Sequence, residues 1–260
     1  MNPIKRILLS ILGEGHYLSL LAGSFQLIWK AGLAGEDYQD VYFLKYFIEE
    51  GCYCLDIGAH LGYYTCELSR LSGKSGKVIA IEPMSKFNRV LGNLLKKKGA
   101  QNVELLQLAL GGEGEFVEMG IPLVNKAKKF AYARVMKSST HLDYVESEKI
   151  RNAYGDQLLA GLPRLDFIKC DVEGLEVQVF SSMLHVLEKH YPILLCELAD
   201  QQERVHFLDM IAPMGYKAFI LREKKLHPID VYSAEKAISH NHYFIPSSRM
   251  QGMSSLISAK

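Results

Sequence analysis

Acidic residues close several of the chain's short apolar runs. Residues 53–57, 77–81, 165–170 and 192–196 each read as a buried strand, and at their ends stand Asp56, Glu82, Asp171 and Glu197. A lone acid at a strand end is a helix cap or a solvated turn. Four of them on successive buried strands point to one crevice, because an open α/β sheet gathers its ligands at the strands' carboxyl ends. Glu82 lies about one βαβ unit after Asp56, where an acid can accept hydrogen bonds from both hydroxyls of a ribose. An ionised carboxylate suits that task because charge-assisted bonds are the stronger ones. Asp171 and Glu173 point the same way in an extended chain, and Gly174 lets the chain turn beside them. Two close carboxylates can share a divalent metal, raise one another's pKa until one serves as a base, or hold a cationic ligand.

The turn after the first of these strands has the spacing D-x-G-x-x-x-G, with Asp56, Gly58, Ala59, His60 and Gly62 as its parts. Its glycines remove side chains where a backbone comes close to a nucleotide-like group. His60 stands where the dinucleotide fingerprint G-x-G-x-x-G needs its second glycine, so that fingerprint is broken. Pro83 fixes the exit after Glu82. Ala109 and Leu110, at the end of a third strand over 103–110, offer a small apolar surface for an adenine face.

The elements that must position these residues follow from periodicity. Residues 17–29 and 40–49 carry apolar side chains at helical spacing, as do 87–98 and 175–189. Further strands read over 216–221 and 242–246, with a polar connection over 222–241 between them. Strand, glycine turn, helix, strand is the first crossover of a doubly wound α/β sheet. Residues 111–163 lose this alternation and read as a substrate-facing insertion, with a polar helical stretch after Asp143. The expected organisation is an N-terminal helical cap over 1–50, a catalytic domain over 51–248 and a loose tail over 249–260.

Composition narrows the function classes. The chain has 260 residues, enough for one large domain, and a net charge of +1 that gives no footprint for nucleic acid. Lys96, Lys97 and Lys98, and Lys126, Lys128 and Lys129, read as solvated faces. Five cysteines without C-x-x-C spacing suit buried reduced thiols and a cytoplasmic location. No run approaches the length of a spanning helix. A peripheral membrane contact within residues 1–30, through Ile7, Leu8, Ile11 and Leu12, is the weaker reading of the N-terminus.

Taken together, residues 56–62, the Ile81, Glu82, Pro83 triplet, the block Ile168, Lys169, Cys170, Asp171, Val172, Glu173, Gly174, Leu175, Glu176 and the run ending in Glu197 resemble the signature blocks of the FkbM-type methyltransferase family. Residues 242–246 resemble its closing strand, and the resemblance spans roughly 40–246. It implies a class I methyltransferase (Rossmann-like) sheet of seven strands, order 3-2-1-4-5-7-6, with an N-terminal helical extension. It also implies S-adenosylmethionine as methyl donor and O-methylation of a hydroxyl on a sugar or other small secondary metabolite. By that resemblance Asp56, Gly58 and Gly62 bind the donor and Glu82 its ribose; Ala59, His60, Pro83, Ala109, Leu110 and Asp171 complete the expected donor site. Glu173 and Asp171 face the reaction centre, as base or as ligands of a divalent metal. His60 departs from the Asn common in the family, and the stretch 137–163 is longer than expected. His141, in that stretch, is a third candidate base.

Two other readings compete. A degenerate nucleotide-binding module would keep the fold and lose the chemistry. A nicotinamide-dependent oxidoreductase would need the glycine that His60 replaces.

Overall fold

The computed structural model describes residues 3–35, 38–111, 114–124, 127–128, 133–136, 143–198, 200–232 and 241–258, without the side chains of 3–7, 124, 127 and 128. The chain opens with a long helix α1 (Pro3–Lys30), kinked at Gly13, and a short α2 (Gln39–Phe43). Then come β1 (Tyr53–Ile57), α3 (Tyr63–Ser72), β2 (Lys77–Ile81), α4 (Ser85–Lys98) and β3 (Val103–Leu106). The insertion supplies β4 (Ala109–Leu110), β5 (Phe116–Val124), β6 (Ala127–Lys128), β7 (Arg134–Val135) and β8 (Tyr144–Ala153). The chain continues through α5 (Gly155–Leu159), β9 (Phe167–Cys170), α6 (Glu176–Ser181), α7 (Leu184–His190) and β10 (Ile193–Glu197). It closes with α8 (Gln201–Ile211), β11 (Tyr216–Arg222), β12 (Lys225–Pro228) and β13 (Asn241–Pro246).

The main sheet runs β12-β11-β13-β10-β9-β1-β2-β3. Its five strands from β10 to β3 are parallel, and β13, β11 and β12 pair antiparallel. Alternation along the strands fills two cores. Leu55, Ile57, Ile168, Leu194 and Phe244 meet α5 to α8 on one face, while Cys54, Val78, Phe167, Leu195 and Tyr243 meet α2 and α3 on the other. Phe207 of α8 stacks its edge near Phe180 and Phe244, ring centroids 4.8 and 4.7 Å away. Each such fully buried ring contributes roughly 1.5–3 kcal/mol.

The sheet has eight strands, not the seven expected. The eighth, β12, lies in the stretch read as a polar connection, where Arg222 and Lys225 flank a tight turn with Glu223 and Lys224 at positive φ. Polar side chains hid it because it is a half-exposed edge strand. The third strand is shorter than read. It stops at Leu106, and Ala109 and Leu110 pair with β8 instead.

The insertion differs most. Among the described residues it is a second sheet, in which β5 and β8 pair antiparallel along most of their length. The stretch taken as a polar helix is β8, whose exposure alternates residue by residue. The helix expected over 175–189 is two, because buried Ser182 breaks it: its hydroxyl accepts from the amide of Gly155 and donates to the carbonyl of Val179. Asp156 then caps α7 by accepting from the amides of His185 and Val186. Within the stretch expected as a loose tail, residues 250–258 lie against the core. Met250, Met253, Leu256 and Ile257 pack on the core, and the Leu226 amide donates to the Leu256 carbonyl at 2.8 Å.

α1 packs through Tyr17, Leu18 and Ala22 on Met84, Phe87 and Val90. Lys86 of α4 binds Glu14 of α1 and Glu146 of β8, so three elements meet over the carboxyl ends of β1 and β2.

Candidate active site

A cavity of about 620 Å³ opens at those strand ends, bounded by the turn after β1, the exits of β2, β9 and β10, and the insertion. Its first wall is the turn. Gly58, at φ +82°, and Ala59 both donate their amides to the carbonyl of Ile81. A Cβ on Gly58 would lie 1.9 Å from the carbonyl oxygen of Asp171, so only glycine lets the exits of β1 and β9 approach this closely. Gly62 does not line the cavity. It starts α3 at φ +82°, and a Cβ there would strike Leu91 of α4 at 2.4 Å, so its work is to seat two helices.

Glu82 holds the turn from below. Its two carboxylate oxygens accept the amides of His60 (2.8 Å) and Met84 (2.9 Å). It is only 4% exposed. Burial pushes its pKa up to about 7 against those two stabilising hydrogen bonds. Asp56, 2% exposed, accepts from the Thr65 hydroxyl at 2.5 Å. Burial lifts it to about 6, with Lys169 pulling the other way. Pro83, Ala109 and Leu110 line the same side. His60 takes positive φ (46°) and packs its ring edge on Phe87, centroids 4.5 Å apart. Burial drops its pKa to about 4, so the ring is neutral, and its buried Nε2 has no partner among the described residues.

The opposite wall is made by β9, β10 and the loop after β9. Lys169 is 2% exposed, with Nζ 3.6 Å from Asp171 and 5.1 Å from the Tyr64 ring centroid. Burial works against its ammonium, but the charge of Asp171, with Tyr64 and Glu197, prevails and raises its pKa. Glu173 sits at φ +58° and accepts from Arg134 Nη2 of β7 at 3.0 Å. Burial, then Asp171, raises its pKa to about 7, with Arg134 opposing. Glu197 is lifted to about 7 by burial and by the neighbouring charge of Asp171, with Lys169 opposing. Buried Glu176 anchors this loop by accepting the amides of Val172 and Gly174.

The structure therefore brings Asp56, Gly58, Ala59, His60, Glu82, Pro83, Ala109, Leu110, Asp171 and Glu173 to one cavity and leaves Gly62 outside its lining. His141 lies outside the described residues. Sequence reasoning missed Lys169, Tyr64 and Arg134 as parts of the site, and it placed Glu197 at a strand end without a role. A lysine inside the otherwise apolar run of β9 was the available signal for Lys169. Arg134 gave none, because the chain path that brings it to Glu173 is set by strand pairing in the insertion.

A family model described as the methyltransferase FkbM domain matches residues 56–220. The chain belongs to the FkbM methyltransferase family. No curated protein matches it. Among solved structures, it is similar to a methyltransferase FkbM from Methylobacillus flagellatus KT (18% identity, 88% of this chain and 53% of that one, TM-score 0.49). It is similar also to a SAM-dependent O-methyltransferase from Thermotoga maritima (14%, 79% and 63%, TM-score 0.44) and an rRNA methylase from Streptococcus thermophilus (12%, 81% and 94%, TM-score 0.46). This chain spans about half the length of the first and under two thirds of the second. Likenesses at such TM-scores say nothing of the acceptor.

The family sets the activity class as S-adenosylmethionine-dependent methyl transfer on a Rossmann-like α/β fold, which displaces the nicotinamide reading. The residues present fit the donor. A buried acid, an orphaned imidazole nitrogen and an apolar floor suit an adenosyl group, and the acids across the cavity suit a sulfonium. Among the described residues no cluster of three or more metal-ligating side chains is placed to hold an ion. Asp171 and Glu173, weighed as metal ligands, each face a cation of the chain itself.

Proposed function

We propose that this methyltransferase acts on a hydroxyl oxygen of a small acceptor, a sugar or other secondary metabolite, with Glu173 as general base. S-adenosylmethionine, when bound, supplies a methyl group activated on a sulfonium. Glu82 and the His60 turn hold the donor's adenosyl end, and Ala109 and Leu110 floor it. An alcohol is a poor nucleophile at neutral pH, so its proton needs a positioned acceptor. The Glu173 carboxylate, with a pKa of about 7, is matched to that task, and the hydroxyl proton passes to it as the oxygen attacks. Asp171 is the weaker base candidate, since Lys169 and Glu197 already engage it; its charge instead raises Glu173. Insertion residues Val117, Met119, Ala133 and Val135 wall the acceptor side and keep water out.

The observation that carries this reading is Glu173 itself: half-buried, held at a left-handed φ, with its pKa raised beside Asp171. Backbone strain of that kind collects at functional sites. The test is S-adenosylhomocysteine release across a panel of sugars and hydroxylated metabolites, for the wild type and Glu173→Gln. The variant should lose roughly 10²–10⁴ in kcat with S-adenosylhomocysteine binding unchanged. Unaltered turnover removes Glu173 as base. Donor binding with no transfer to any hydroxyl favours the degenerate-module reading.

A further inference from the structure

The long N-terminal helix leaves one side uncovered. Away from its packed residues Tyr17, Leu18 and Ala22, Leu20 is 50%, Leu27 71% and Ile28 44% exposed, and Leu33 just beyond is 74% exposed. Residues 15–33 contain no acid, and Lys30 is their only Lys or Arg. Large apolar side chains repeated along one exposed helix face mark a contact surface. Among the described residues no helix is long and apolar enough to cross a membrane, so this one would lie along a surface instead.

A second feature adjoins it. A groove of about 1070 Å³ runs between the last turns of α1 and the C-terminal ends of α3 and α4. Lys30, Lys45, Arg70, Lys74, Lys97 and Lys98 line it. Among the described residues Glu67 is the one acid in that lining, and Arg70 holds it at 2.6 Å. Trp29, stacked on Tyr42 with ring centroids 3.6 Å apart, forms an aromatic edge of the groove. In a chain of net charge +1 this is a local concentration of cations. Cations at helix C-termini complement the helix dipoles, but that does not account for the exposed leucines beside them. Lys30 joins the two features: it lines the groove and stands three residues, about one turn, after Leu27 on the same helix.

We infer that this face binds an anionic lipid bilayer. The leucines enter the boundary between headgroups and acyl chains, Trp29 and Tyr42 sit at headgroup level, and the lysines meet the lipid phosphates. The charge pattern selects this occupant. A two-fold contact with a second copy would turn the cationic groove toward its own equivalent. A nucleic acid would use the cations and leave Leu20, Leu27 and Leu33 in water. The groove lies at the C-terminal ends of α3 and α4, whereas the methyl-transfer cavity lies at their N-terminal ends, so the two surfaces are separate.

The test is flotation of the whole chain with phosphatidylcholine vesicles, with and without phosphatidylglycerol. Wild-type protein should float with the anionic vesicles at low salt and come off as salt screens the charges. The double variant Lys97→Glu/Lys98→Glu should lower partitioning by about twentyfold or more, and Leu27→Asp should lower it independently. Neither should change the melting temperature or the rate of methyl transfer in solution. Absent flotation overturns the inference, as does equal binding to neutral vesicles. So does a dimer in sedimentation velocity that Leu27→Asp converts to monomer, or oligonucleotide binding lost in the lysine variant while flotation persists.

Discussion

The acids that end β1 and β2 and those that end β9 and β10 line one cavity and are held in opposite ways. Asp56 and Glu82 are buried, and their oxygens are fixed by uncharged donors of the scaffold: the Thr65 hydroxyl and the amides of His60 and Met84. Asp171, Glu173 and Glu197 are more open, and what faces them is charge: Lys169, Arg134 and one another. Neutral backbone donors give a fixed geometry, which suits a cofactor that binds the same way at every turnover. Ion pairs on longer side chains can be exchanged and retuned, which suits an acceptor whose proton must move.

The two walls touch at Gly58, and breaking that joint should have the largest effect. In Gly58→Ala the new Cβ meets the Asp171 carbonyl, a backbone atom that cannot swing aside, at a φ that side chains avoid. A loss of roughly 3 kcal/mol or more of stability is expected. A thermal melt reads it directly. A variant as stable as the wild type would show that the walls are not rigidly coupled.

Glu82→Ala should act on one wall alone. Losing hydrogen bonds to a charged group should weaken S-adenosylhomocysteine binding by about 1–3 kcal/mol in a calorimetric titration. Glu173→Gln should leave that affinity as it was. If both substitutions weaken the donor equally, the division into a donor wall and an acceptor wall is wrong.

pH should then move stability and activity in opposite directions. Glu82, Glu173 and Glu197, near 4.5 when unfolded, stand at about 7 in the fold, and Asp56 rises from 3.8 to about 6. Between those values the native state holds more protons than the unfolded chain, so the stability of the ligand-free protein should fall as pH climbs from about 4.5 to 7. Over the upper part of that window a carboxylate base gains its active, deprotonated form, so kcat/KM should rise roughly tenfold per pH unit below about 7 and then level off. Chemical denaturation and initial rates across pH 5 to 8 test the two limbs separately.

How much of this was legible in the sequence follows the same division. The wall built by β1 and β2 was readable because local rules make it: a strand, a glycine turn and an acid one βαβ unit later, each fixed by its neighbours in the chain. Even there Gly62 lies outside the cavity lining: a glycine that admits a ligand and one that admits Leu91 look alike in sequence. The wall built by β9 and β10 was half readable. Asp171 and Glu173 stood out as a pair, but Arg134 reaches Glu173 only through the pairing of β7 with β5. Likewise β8 was taken as helical because its alternation is carried by Glu, Ser and Lys, not by apolar residues. Long-range pairing of a polar strand leaves little local trace.

Arg134 is also where the smallest effect should be found, and it is the finest test of the comparison. Its guanidinium lowers the Glu173 pKa, while burial and Asp171 raise it. Removing the cation in Arg134→Gln should therefore move the Glu173 pKa up, and with it the midpoint of the rising limb of kcat/KM. Both side chains keep part of their surface in water, 29% for Arg134 and 24% for Glu173, so screening should hold the shift below about one pH unit. Donor affinity should not change, because among the described residues the hydrogen bonds of Glu82 and of the His60 turn do not involve this pair. A midpoint displaced upward with the plateau rate preserved identifies Arg134 as a residue that tunes the base. A lowered plateau with an unmoved midpoint means that it positions the acceptor instead. An identical profile would mean that the pair does not persist in solution, and the acceptor wall would then owe its raised acids to burial and Asp171 alone.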